Sequence, residues 1–103
     1  METLHFQYPE GTPPKGSAHV GVVGSGDLEI LLEPSSDQTA RIRIRTRCTG
    51  NEKTWKAVLD RFFARHPIAA AIEVNDFGAT PGVVLLRLEQ AWEVSTHDSA
   101  TRA

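Results

Sequence analysis

Cysteine is almost missing from this sequence: Cys48 is the only one, so an internal disulfide and the usual multi-cysteine metal cluster are both excluded. A reducing compartment fits such a chain. Long apolar runs are missing too. No segment approaches the roughly 20 apolar residues of a transmembrane helix, and the polar, acidic opening Met1-Glu2-Thr3-Leu4-His5 lacks the layout of a secretory signal. These absences predict a cytoplasmic protein that does not enter a membrane. Neither charge is in large excess: 11 Lys and Arg stand against 13 Asp and Glu, with a formal net charge of -2 and a pI near 6.0. Wholesale binding to nucleic acid or to a membrane surface is therefore not expected, and an electrostatic partner has to meet a local patch. Internal repeats are also absent.

What is present is enough for one modest core. The chain has 103 residues, 40% of them hydrophobic and 23% charged, which is the composition of an ordinary folded domain. We read residues 1–103 as a single domain. Pro9, Gly11, Pro13, Pro14 and Gly16 disfavour regular elements, so residues 1–18 are predicted to be an extended arm. β-Rich runs over Val20, Val22 and Val23 and over Leu28, Ile30, Leu31 and Leu32 flank Gly24-Ser25-Gly26-Asp27, which reads as a hairpin turn. In Ala40-Arg41-Ile42-Arg43-Ile44-Arg45-Thr46-Arg47-Cys48, strict alternation predicts a strand with Ile42, Ile44, Thr46 and Cys48 on one face and four arginines on the other.

After Gly50 the period changes. Trp55, Val58, Leu59, Phe62 and Phe63 form one stripe of a helix, with Asn51 as a plausible N-cap and Pro67 as its stop. Ile68 to Val74 reads as a further strand. Thr80-Pro81 resembles a helix start, placing Val84, Leu85, Leu88, Ala91 and Trp92 on one side; a strand over 81–94 is the alternative, and the proline cap and the length favour the helix. Residues 95–103 are predicted to be a flexible tail. The order strand-strand-strand-helix-strand-helix implies an α+β, two-layer sandwich: an about four-stranded, mostly antiparallel sheet with two helices on one face. The right-handed crossover rule sets the arginine strand parallel to the strand after Pro67, with the arginines turned away from the helices.

Ser25 is the first candidate site, because Gly24 and Gly26 leave its hydroxyl unhindered. On pattern alone, a hairpin serine with no role is the plainer reading. A hydrolase elbow needs glycines two before and two after the serine, but Val23 and Asp27 stand there. His5, His19, His66 and His97 fall in an arm, at an element end, beside a proline and in a tail, so no catalytic base is evident. The run Gly21 to Gly26 has the wrong order for a dinucleotide loop and leads into a strand, not a helix. Asp76-Phe77-Gly78 spells the kinase metal motif without its companion loops and reads as a turn. Arg41, Arg43, Arg45 and Arg47, at about 7 Å spacing along a strand face, are either a solvated face or a docking surface for phosphate, carboxylate or a partner.

Four stretches carry a resemblance. Met1-Glu2-Thr3-Leu4, Pro9-x-Gly11-x-Pro13-Pro14-Lys15-Gly16 and Val20 through Pro34, together with Asp76 through Val84, are similar to the acyl carrier (delta) subunit of malonate decarboxylase and, more weakly, to the acyl carrier subunit of citrate lyase. The resemblance implies a non-catalytic carrier. It implies a 2'-(5''-phosphoribosyl)-3'-dephospho-CoA group joined to Ser25 through a phosphodiester, with Gly24, Gly26 and Asp27 as the attachment loop, no catalytic residue and no metal. Acetyl and malonyl would be held as thioesters. The implied partners are the acyl-transferase (alpha) subunit, the decarboxylase (beta and gamma) subunits, a prosthetic-group transferase and a malonyl transferase. Asp27 and Glu29 offer the added phosphate nothing, so the arm is expected to project into solvent or into a partner. A citrate-lyase-type carrier and a cofactor-free interaction domain are the competing readings.

Overall fold

The structure, a computed structural model, describes residues 1–97. Five strands form one sheet: β1 Glu2–Tyr8, β2 Ala18–Gly21, β3 Leu28–Pro34, β4 Ala40–Thr46 and β5 Ala70–Asp76. Their order is β1-β4-β5-β3-β2. Three pairings are antiparallel, and β4 with β5 is parallel. Helices α1 Glu52–Arg65 and α2 Pro81–Thr96 pack with the buried face of the sheet in one apolar cluster. The α+β, mostly antiparallel sandwich with the parallel crossover pair is therefore the observed fold.

The sheet is two-faced because its sequence alternates. In β4, Ala40, Ile42, Ile44 and Thr46 are buried and the intervening arginines are exposed. Ile30, Ile44, Leu59 and Phe62 are fully buried, each worth about 1.5–3 kcal/mol of transfer free energy. The stripe of α1 buries Trp55, Val58, Leu59, Phe62 and Phe63. Asn51 takes the N-cap position but makes no side-chain capping bond. Thr80 does cap α2, accepting from Val83 N–H at 3.3 Å, with Pro81 opening the helix.

Four expectations are corrected. The predicted arm, residues 1–18, contains β1, because Leu4, Phe6 and Tyr8 alternate with polar residues and lie against Ile44, Ile42 and Ala40 of β4. Tyr8 stacks on Phe63 at 4.3 Å and donates to Asp60 at 2.6 Å; burial first, and then the Asp60 carboxylate, hold its phenol well above the usual range. The rest of the arm is fastened by main-chain bonds from Gly11 to Gln38, Thr12 to Pro67 and Gly16 to Ser95. β2 stops at Gly21, so Val22 and Val23 are exposed loop residues. β4 stops at Thr46, which leaves Arg47 and Cys48 off the strand and Cys48 exposed. α2 includes Ser95, which is buried, and Thr96; positions 98–103 of the predicted tail lie outside the described residues. No helix among the described residues is long and apolar enough to cross a membrane.

Candidate functional site

Ser25 sits in the loop between β2 and β3, at the end of the sheet where β5 also finishes. Gly21 starts this loop with φ +83, and a Cβ there would lie 2.0 Å from the Leu28 carbonyl oxygen. Only glycine fits, so the chain leaves the strand at that residue. Asp27 N–H then donates to the Gly24 carbonyl at 3.1 Å, closing a four-residue turn with Gly26 third at φ +76. That is the position a type II turn reserves for glycine. A Cβ on Gly26 would meet nothing within 4 Å, so backbone conformation, not space, dictates the residue.

The bonds that hold the turn leave the Ser25 hydroxyl out. Gly26 N–H donates to the Phe77 carbonyl at 2.8 Å, and Phe77 N–H donates to the Asp27 carbonyl at 2.9 Å. The turn is thus stitched by main chain to the segment following β5. Below that segment, Thr46 donates to the buried Asp76 carboxylate at 2.8 Å, and Ala79 N–H donates to its other oxygen at 3.0 Å. Asp27 supplies the second anchor. Its carboxylate accepts from Arg87 Nε at 3.1 Å and Nη2 at 2.7 Å, and from Leu28 N–H at 2.7 Å. These bonds, Arg87 foremost, hold the Asp27 carboxyl below its usual pKa and raise that of Arg87. Ser25 itself is exposed.

Glu29, at the β3 end of the loop, is engaged as well: Asn75 donates to it at 3.1 Å and His19 Nε2 lies 2.8 Å away. Its carboxyl is lowered, chiefly by Asn75. Asp27 and Glu29 therefore have partners within the domain. The four arginines do not form one surface. Arg41 pairs with Asp37 at 2.6 Å, Arg43 pairs with Glu73, and Arg45 lies 4.0 Å from Met1 Sδ, all on the open face. Arg47 lies apart, its guanidinium carbon 5.2 Å from the centre of the Phe77 ring. It is the one arginine next to the segment that holds the turn.

Arg87 was not foreseen as a site residue, since it lies on the polar side of α2 and its partner is 60 positions away. No spacing rule connects them. Phe77 belongs to a stretch that contributed to the resemblance, and that stretch forms the wall behind Ser25. The described residues contain no group of three or more His, Cys, Asp or Glu arranged to hold a metal ion.

Comparison with known proteins identifies the family. A family model described as the malonate decarboxylase delta subunit (MdcD) matches residues 15–95. The chain is 54% identical over 99 residues to the malonate decarboxylase acyl carrier protein of Pseudomonas fluorescens strain SBW25, covering 95% of this chain and all of that one. It is 50% identical, with the same coverage, to its counterpart from Pseudomonas aeruginosa strain UCBPP-PA14. Among solved structures it is similar to a chain of a Pseudomonas malonate decarboxylase hetero-tetramer in complex with malonate, with TM-score 0.86 and 49% identity, over 91% of this chain and 98% of that one.

Proposed function

This chain belongs to the malonate decarboxylase delta subunit family, and on that premise we propose that Ser25 is the attachment point through which it serves as the complex's non-catalytic acyl carrier. The observation that supports this reading is a serine hydroxyl with no hydrogen-bond partner among the described residues, at the tip of a turn whose shape is fixed by other groups. The site suits a covalent group. Ser25 is exposed, and the space beside Gly26 that a Cβ would enter is open. The group is a phosphoribosyl-dephospho-CoA joined through a phosphodiester. When bound it supplies a thiol that holds acetyl or malonyl as a thioester, whose carbonyl can take up the electrons released with carbon dioxide.

The chain's own residues present the serine and take no part in bond cleavage. Asp27 is ionised and committed to Arg87 and Leu28 N–H, so it does not serve as a base for the Ser25 hydroxyl. A group carried on this exposed turn would be open to a transferase and a decarboxylase in succession, and the tether would raise its effective concentration at both. Arg47, over the Phe77 ring, would meet the group's phosphates or a partner beside them, while Arg41, Arg43 and Arg45 would offer a docking surface on the open sheet face. The partners are the other subunits of the complex: an acyl-transferase alpha subunit and the beta and gamma decarboxylase subunits.

Intact mass spectrometry on protein made together with its modifying enzymes tests the reading. A coenzyme-sized increment on the wild type, absent from Ser25→Ala, is expected. An unmodified wild-type chain in a complex that still turns over malonate would overturn it.

A further inference from the structure

A groove of about 690 Å³ runs along the free side of β2 against α2, lined by Val20, Gly21, Arg87, Gln90, Glu93 and Val94, with His97 at one end. Its volume falls within the range of small-molecule clefts. It begins at the Ser25 loop, because Gly21 starts that loop and Arg87 grips Asp27, two residues from the serine.

We propose that this groove is a resting site for the arm tethered at Ser25, receiving along β2 and α2 the arm's pantetheine end, whose two amides alternate with methylene links. The proposal rests on Ser25 as the attachment point. It replaces the expectation of an arm that only projects outward.

The lining matches that chemistry. Val20 and Val94 are half-buried and offer apolar surface to methylene and methyl groups, and Gly21 lines the groove without a side chain. Gln90 accepts from Arg87 Nη1 at 2.9 Å through its carbonyl, which leaves its amide N–H groups for a carbonyl of the arm. Arg87 spends Nε and Nη2 on Asp27 and Nη1 on Gln90. A guanidinium has five N–H donors in all, so some remain for a phosphate near the serine. The Asp27 carboxylate is already held by Arg87, and Glu93 is exposed. A tethered ligand also avoids most of the association entropy that a free one loses, so a shallow groove suffices.

The test uses protein loaded by its own modifying enzymes, with intact mass establishing the load before anything else is read. Loading should shift the backbone amide resonances of Val20, Gly21, Gln90, Val94 and His97 and leave Ser35 to Thr39 unmoved. Iodoacetamide should alkylate the tethered thiol about fivefold more slowly than free coenzyme A, as expected for an arm docked about four-fifths of the time. Val94→Glu, or Gln90→Ala should the first variant fold poorly, should bring the rate back toward that of free coenzyme A while the mass increment stays. A loaded chain whose groove resonances do not move, and whose thiol reacts like free coenzyme A, would overturn the resting site but not the attachment. Groove shifts seen only on adding a partner subunit, with the thiol still fully reactive, would also overturn it, in favour of a protein occupant. An unmodified mass would overturn the attachment reading, and the resting site with it.

Discussion

Two turns flank β3, and each contains a serine two residues before an aspartate. In the turn after β3, Ser35 donates to Asp37 at 2.6 Å, Thr39 N–H donates to the same carboxylate at 3.2 Å, and Arg41 pairs with it at 2.6 Å. Everything that turn needs lies within a few residues. In the turn before β3, Asp27 finds its cation at Arg87, 60 positions away, and Ser25 is left out of the bonding. The same Ser-x-Asp spacing thus gives a closed local turn in one place and a presented hydroxyl in the other. The difference lies in where the aspartate finds its positive charge: a cation at close sequence distance lets the serine fold back, whereas a distant one turns the carboxylate away from it.

Exchanging the serines gives the largest contrast. Ser25→Ala is expected to abolish the mass increment and malonate turnover by the complex with no loss of thermal stability, while Ser35→Ala keeps both and loses about 1 kcal/mol or less, read by mass spectrometry, turnover and urea unfolding. Glycine substitution comes next. Gly21→Ala forces a Cβ against the Leu28 carbonyl at positive φ and should cost more than about 2 kcal/mol. Gly26→Ala has room for its methyl and should cost only about 1–2 kcal/mol for the left-handed backbone, both read by urea unfolding.

A subtler contrast comes from cutting the long-range anchor. Arg87→Ala should speed amide exchange at Gly26 and Phe77 while leaving Thr39 unchanged, and Asp37→Ala should do the reverse, as measured by hydrogen-exchange NMR. The smallest effect is in titration. The folded state lowers the Asp27 carboxyl from 3.8, so its contribution to stability is complete above that value and is lost as pH falls through the lower, folded value. In Arg87→Ala the Asp27 midpoint should rise toward 3.8, whereas that of Asp37, lowered by Ser35 and Arg41, should stay in place. Carboxyl NMR titration reads both midpoints.

Much of the fold was legible because its signals are periodic. The alternation from Ala40 to Thr46 and the i, i+3, i+4 stripe from Trp55 to Phe63 each bury the residues expected of them. β1 was hidden by its neighbours, although Leu4, Phe6 and Tyr8 alternate as clearly as β4 does; Pro9, Pro13 and Pro14 weighted the whole stretch toward an arm. Val22 and Val23 were misplaced because valine favours strands, whereas the positive φ of Gly21 had already ended this one. For the site, Ser25 and its glycines were legible as a turn. The Arg87 anchor was not, because a contact between a loop and the polar side of a distant helix leaves no period in the chain.

The stitch between Gly26, Asp27 and Phe77 ties the shape of the Ser25 turn to the assembly of the sheet. The local bond from Asp27 to Gly24 closes the turn, but the two bonds to Phe77 require β5 docked beside β3, at the end of the β4–α1–β5 crossover. These are non-local contacts, which form late in folding. The Ser25 turn therefore reports on the completed sheet: its main-chain bonds to Phe77 are present only where β3 and β5 lie side by side.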